Sequence, residues 1–163
     1  MSGTIESVRG IIRKNIERCA IRVYISAAQN DLIGNTWNKI NLNARIYDLG
    51  GNFDTTAYKF TAPVTGLYHI IGSVSFSSLV IDKSYSVAVY KNGALLTKGA
   101  SQAVVNDSLI VKVSDEVFLN KDDYIELYAY PSVGSGIDTV DVVVTSSETY
   151  LVIRLVSKEG TRQ

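Results

Sequence analysis

The chain has 163 residues, with 16 basic and 16 acidic side chains and no net formal charge. That length can bury one full core and is short for two domains. Lys and Arg are spread rather than clustered, which argues against a nucleic-acid partner, and no apolar run approaches the ~20 residues of a membrane helix.

Residues 4–19 are the only segment with a helix-like pattern. Ile5, Val8, Ile12, Ile16 and Cys19 recur at three- and four-residue spacing and would share one helical face. Gly10 weakens that pattern, and an ordered arm on a neighbouring subunit or a frayed linker are the alternatives. The opening MSGTIESVRG lacks a basic stretch followed by an apolar core, so it does not read as a secretory signal. Cys19, the single cysteine, excludes an intrachain disulfide and a cysteine zinc site, and is expected to be a small buried side chain.

From Ile21 the period becomes two. IRVYISAAQ sets Ile21, Val23 and Ile25 against Arg22, Tyr24 and Ser26, as in a half-buried strand. A polar stretch with Asn30, Asp31, Gly34 and Asn35 follows, and then WNKINLNARIYD places Ile40, Leu42, Ala44 and Ile46 in register. Trp37 reads as a core or rim packing residue ahead of a ligand platform. Gly50-Gly51 mark a tight reversal, Phe53 and Tyr58-Lys59-Phe60 restart the strand pattern, and Pro63 closes it. Gly66 then launches the longest alternating run. Leu67, His69, Ile71, Ser73 and Ser75 share one face; Tyr68, Ile70, Gly72, Val74 and Phe76 share the other. Both faces are apolar near the start, as in a strand covered on both sides, with a second subunit as one candidate cover.

Further on, Ser84–Tyr90 alternates, Asn92-Gly93 is a hairpin turn, and Ala94–Lys98 returns. Leu109–Val113 and Glu116–Leu119 read as separate strands. After the turn Lys121-Asp122-Asp123, YIELYAY sets Ile125, Leu127 and Ala129 against Tyr124, Glu126, Tyr128 and Tyr130. A Gly134-Ser135-Gly136 loop, Val140–Thr145 and TYLVIRLVS complete the chain. About ten short strands with regular turn signals fit an all-β, two-sheet jelly-roll sandwich.

Catalytic chemistry is hard to place. His69 is the sole histidine and lies on a predicted buried face, so no hydrolase triad can be assembled around it. Zinc-ligand spacing and a phosphate-cradling glycine loop are both missing. The carboxylate pairs Asp115-Glu116 and Asp122-Asp123 read as solvated turn residues. The chain is therefore expected to be no enzyme and to need no cofactor. Calcium is the one ion for which oxygens are on offer, from Asp107, Asp122, Asp138 or Asp141, without a recognisable loop motif. Asn106-Asp107-Ser108 fits a glycosylation triplet.

YDLGGNFD followed by KFTAPVTGLYHIIGSVSF resembles the signature of the C1q globular-head family, which shares its jelly roll with the tumour necrosis factor family. The matching residues are Phe60, Ala62, Pro63, Gly66 and Tyr68, preceded by Tyr47-Asp48, Gly51 and Phe53-Asp54. IRVYISAAQ as first strand, the LNKDDYIEL turn and TYLVIRLV as last strand extend the resemblance over about residues 20–157. Two departures stand out. Asp122 occupies the usual glycine of a Leu-x-x-Gly-Asp turn, and the last strand lacks the family's glycine, Val152 being nearest. A collagen-like Gly-X-Y stalk is also absent from the sequence.

With residues 1–19 expected as an arm or helix, the resemblance implies 20–163 as one C1q/TNF-like domain forming a homotrimer. Carried over by position, His69, Ile71 and Ser73, with Tyr150, Val152, Arg154 and Val156 of the last strand, would face the three-fold axis. Arg154 would there need a carboxylate or anion beside it, or would snorkel to the rim. Modules with YDxGGxFD-like turns and no leader resemble bacteriophage virion proteins. A virion or extracellular surface module is thus expected, adhering to a host-surface glycan or protein receptor; a secreted ligand head binding a protein receptor is the alternative. Candidate ligand residues come from polar loops: Asn30, Asp31, Asn35, Trp37, Asn92, Asn106, Asp107, Ser132, Ser135 and Asp138.

Overall fold

The computed structural model describes residues 19–99, 102–103 (backbone only), 108–133 and 139–160. Residues 1–18, where a helix or arm is expected, lie outside them, as do Asn106, Asp107, Ser135 and Asp138 of the candidate residues.

The described residues form fourteen strands: β1 (Ala20–Tyr24), β2 (Gln29–Ile33), β3 (Asn38–Lys39), β4 (Ala44–Leu49), β5 (Phe53–Asp54), β6 (Lys59–Thr61), β7 (Gly66–Ser77), β8 (Ser84–Lys91), β9 (Ala94–Lys98), β10 (Gln102–Ala103), β11 (Leu109–Leu119), β12 (Tyr124–Ser132), β13 (Thr139–Val142) and β14 (Tyr150–Lys158). They pair antiparallel into two seven-stranded sheets. In the first, β7 is flanked by β11 on one edge; on the other lie β14 and, further along, β13, with β1 and β4 beyond β14 and β2 beyond β13. In the second, β8 and β12 pair at the centre, with β9 and β10 outside β8, and β3, β6 and β5 on the far side.

The core lies between these sheets, and β7 supplies much of it. Tyr68, Ile70, Val74 and Phe76 are fully buried, as the alternation predicts. They meet the inward residues of the second sheet, including Tyr85, Val87 and Val89 of β8 and Ile125, Leu127 and Ala129 of β12. Burying each large side chain stabilises the fold by roughly 1.5–3 kcal/mol. Both tyrosines keep a polar partner: the Tyr68 hydroxyl donates to the Val64 carbonyl at 2.7 Å, and the Tyr85 hydroxyl accepts from Val80 N–H at 2.8 Å.

Three expectations are corrected. WNKINLNARIYD is two strands on different sheets: Lys39 of β3 pairs with Tyr128, and Arg45 of β4 with Val23. The chain crosses the sandwich between them and drops Ile40 and Leu42 into the core, while Ile46, on edge strand β4, is 53% exposed. Next, the polar stretch from Asn30 contains a strand, because β13 supplies a partner for β2. Finally, Leu109–Leu119 is one continuous strand, so Asp115-Glu116 sits in a ladder rather than a turn, with Glu116 opposite His69.

Cys19 is buried, and burial, followed by the nearby Asp48 charge, pushes its thiol up to about 11. At pH 8 roughly one molecule in a thousand would carry the thiolate, the reactive form. Native protein should therefore leave Ellman's reagent unreacted over minutes and react fully once denatured. Rapid reaction of the folded protein would contradict this burial.

The turn between β11 and β12 explains the first departure from the family pattern. Asp122 has φ 72°, in the left-handed region that glycine adopts freely. The aspartate thus keeps the glycine conformation under mild strain, and Asp122 N–H donates to the Ala62 carbonyl at 2.9 Å. Its neighbour Asp123 anchors the same end, accepting from Asn92 Nδ2 at 2.7 Å and Lys91 Nζ at 2.9 Å. Those two contacts hold its carboxyl below the usual range. Asp122→Gly should raise stability by about 1 kcal/mol and Tm by about 2–4 °C; a lower Tm by calorimetry would show that the side chain contributes more than its strain costs.

Candidate functional site

Two sheet faces point away from the core. On the first sheet, Leu67, His69 and Ile71 of β7 are half-buried beside Tyr150 and Val152 of β14, with exposed Arg154 and Val156 following. Ile71 pairs with Val152 on one side and Ser114 on the other. Phe118, opposite Leu67, is 49% exposed. The result is an apolar strip across β14, β7 and β11 that the subunit's own core does not use.

A charged row crosses this strip. Arg154, His69 and Glu116 stand in register on three adjacent strands, with His69 Nδ1 3.8 Å from Glu116 Oε1. His69 Nδ1 is buried and hydrogen-bonds to no group among the described residues. A carboxylate thus lies in the same row as Arg154, with the imidazole between them. At the end of the strip, Arg22 stacks over the Tyr150 ring at 4.1 Å and donates to the Ser146 carbonyl at 3.1 Å. Ser73 differs from its neighbours. It is fully buried within the subunit, and its hydroxyl donates to the Glu148 carbonyl at 2.6 Å.

The candidate loop residues do not converge on one spot. Asn30 and Asp31 lie on β2, where Asp31 N–H donates to Asp141 Oδ1 at 3.1 Å. Asn35 turns the chain nearby and accepts from Val133 N–H at 3.3 Å, next to Ser132 at the end of β12. Asn92 sits at the opposite end of β8, where its Oδ1 accepts from Tyr124 N–H at 2.9 Å and so ties the β8–β9 turn to the start of β12. Among the described residues no group of three or more His, Cys, Asp or Glu is placed to hold a metal ion. Asp141, one of the calcium candidates, also accepts from the Ser78 hydroxyl at 2.9 Å.

The open face of the second sheet holds Trp37 among rings that sequence reasoning did not single out. Its ring centroid lies 5.9 Å from that of Tyr90 and 5.2 Å from that of Tyr130, and Tyr90 stacks on Tyr128 at 4.1 Å. The signal was present in YIELYAY, where three tyrosines share the parity opposite to buried Ile125, Leu127 and Ala129. Beside the rings, Glu126 is buried and ion-paired with Lys39 at 2.6 Å. Burial and the Glu126 carboxylate raise the Tyr128 hydroxyl above its ordinary range.

No family model and no curated protein sequence matches the chain. Solved structures do. The globular domain of zebrafish complement 1qA aligns over 86% of this chain and 99% of its own, with TM-score 0.61 and 14% identity. Eiger TNF from S. frugiperda aligns over 90% and 98%, with TM-score 0.67 and 10% identity. Murine APRIL aligns over 85% and 99%, with TM-score 0.62 and 11% identity. Among the described residues no helix is long and apolar enough to cross a membrane. Sheet order, core and structural neighbours agree: this chain has the C1q and tumour necrosis factor-like jelly-roll fold.

Proposed function

We propose that the chain is a non-enzymatic homotrimeric binding head that assembles through the open face of its first sheet. The observation carrying this is the apolar strip of Leu67, Ile71, Val152, Phe118 and Val156, since a closed cyclic oligomer is an economical cover for such a face. Tyr150 and the Arg154–His69–Glu116 row would meet their symmetry mates there, the glutamates offsetting the arginines. Ser73, already covered by its own chain, would sit behind the contact. Light scattering at micromolar concentration should give the mass of three chains; a monomer would overturn the assembly.

In this reading the head works at a virion surface, as a fibre, decoration or receptor-binding part that adheres to a host. The YDLGGNFD form of the central turn is what supports that setting. The second reading, a ligand head that binds a protein receptor, is favoured by the TNF-type structural neighbours. Binding to intact bacterial cells would support the first reading, and its absence alongside capture of one animal-cell receptor the second.

A further inference from the structure

We propose that the open face of the second sheet is a carbohydrate-binding surface, with Trp37, Tyr90 and Tyr130 as the floor on which sugar rings stack. This rests on the adhesion reading for its biological sense, but not on trimer assembly.

The rings are not needed to complete the core, which Ile125, Leu127 and Ala129 fill from the other side of the same strand. Each is half-buried, and the residues opposite two of them are small: Ala88 faces Tyr128 and Ser86 faces Tyr130, both buried. The rings thus spread over their small neighbours and form a floor. Aromatic faces suit the C–H side of a sugar, and polar tips suit its hydroxyls.

Those tips are free to act. Among the described residues no group hydrogen-bonds the Trp37 Nε1–H or the Tyr90 and Tyr130 hydroxyls. Among the described residues the one buried unpaired side-chain nitrogen or oxygen is His69 Nδ1, so these three polar tips are not sealed from solvent.

Charge and area select the ligand class. Glu126 is neutralised by Lys39, whose Nζ also donates to the Ala57 carbonyl at 2.6 Å. Lys98, exposed and opposite Ala88 on β9, stands at the rim of this face, while the ring floor itself carries no unpaired charge and so fits a saccharide ring better than a phosphate. With Tyr128, which stacks on Tyr90, the four rings are each about a third exposed or less and offer at most on the order of 300 Å². A stable protein interface needs about 800 Å² per partner, whereas a short oligosaccharide needs far less.

Trp37 is the only tryptophan in the chain, so its emission reports on this face alone. The full chain would be applied to an array of immobilised neutral and sialylated oligosaccharides, and each one bound then titrated in solution while emission is followed. At least one neutral oligosaccharide should bind and shift the emission. Trp37→Ala and Tyr130→Ala should each weaken its binding roughly 10-fold or more, with circular dichroism and oligomeric state unchanged. Should Trp37→Ala fail to fold, Tyr130→Ala decides. No binding across the array, binding that neither variant weakens, or capture of a protein alone by this face would overturn the proposal. A monomer that binds sugar through Trp37 would sink the assembly and keep this site; a trimer that binds no sugar would do the reverse.

Discussion

If the proposed trimer forms, Ile71→Asp should convert it to folded monomers. Ile71 projects from the middle of β7 on the face away from the core, between Val152 and Ser114. In the proposed assembly three copies would approach one axis. Replacing them with aspartate would desolvate three carboxylates, close together and without dedicated partners. Burying an unpaired charge costs several kcal/mol. A cost on the order of 4 kcal/mol per contact is about 1000-fold in the association constant, enough to abolish assembly at micromolar concentration. The fold itself should survive, because the core-facing residues Ile70 and Gly72 are untouched. Light scattering and circular dichroism together check this. A monodisperse trimer from the variant would refute the interface, and an unfolded chain would show Ile71 to be part of the subunit core.

The second large effect falls on Gly66. A Cβ built there would lie 2.4 Å from the Ser157 carbonyl oxygen and 3.1 Å from the Lys158 Cα, both backbone atoms of the adjacent strand. Backbone cannot swing aside as a side chain can. Gly66→Ala should therefore cost about 3 kcal/mol and lower Tm by about 6–12 °C. Gly160, around which a Cβ meets nothing within 4 Å, provides the control, and its alanine variant should melt unchanged. Equal Tm values for the two variants would remove the close approach of β7 and β14 from the account of this fold. Gly72 offers an instructive contrast. There the clash is with Leu127 Cδ1 at 2.4 Å, the flexible end of a side chain that can repack.

Much of this was legible in the sequence because a strand's side chains alternate, and alternation is a local property. The split of β7 into Tyr68 and Ile70 on one face and Leu67, His69 and Ile71 on the other is recovered by the structure. The same holds for Ile21, Val23 and Ile25. Ser73 and Ser75, of the outward parity, are instead buried like Val74 and Phe76. Local reasoning failed where the environment changed within one run. Ile40, Leu42, Ala44 and Ile46 alternate perfectly, yet the chain passes from one sheet to the other among them, and only the first two are buried. It failed again at Asp115-Glu116, whose polarity suggested a turn, although pairing with Ile70 and His69 keeps β11 extended. The ring cluster was missed because Trp37 lies far in sequence from Tyr90 and Tyr130, and nothing local announces that β3, β8 and β12 adjoin.

By itself, then, the sequence determined that the chain is built of strands, which residues of each strand share a face, and through the Phe60 to Tyr68 motif which jelly roll the strands resemble. Only the tertiary structure decided what each face meets. It set β14 against β7 so closely that a Cβ at residue 66 would meet backbone, placed Glu116 and Arg154 on either side of His69, and gathered four rings on the open face of the second sheet. The physical reason is that side-chain parity is fixed by the geometry of a single strand. The register between strands distant in the chain is set by the packing of the whole sandwich.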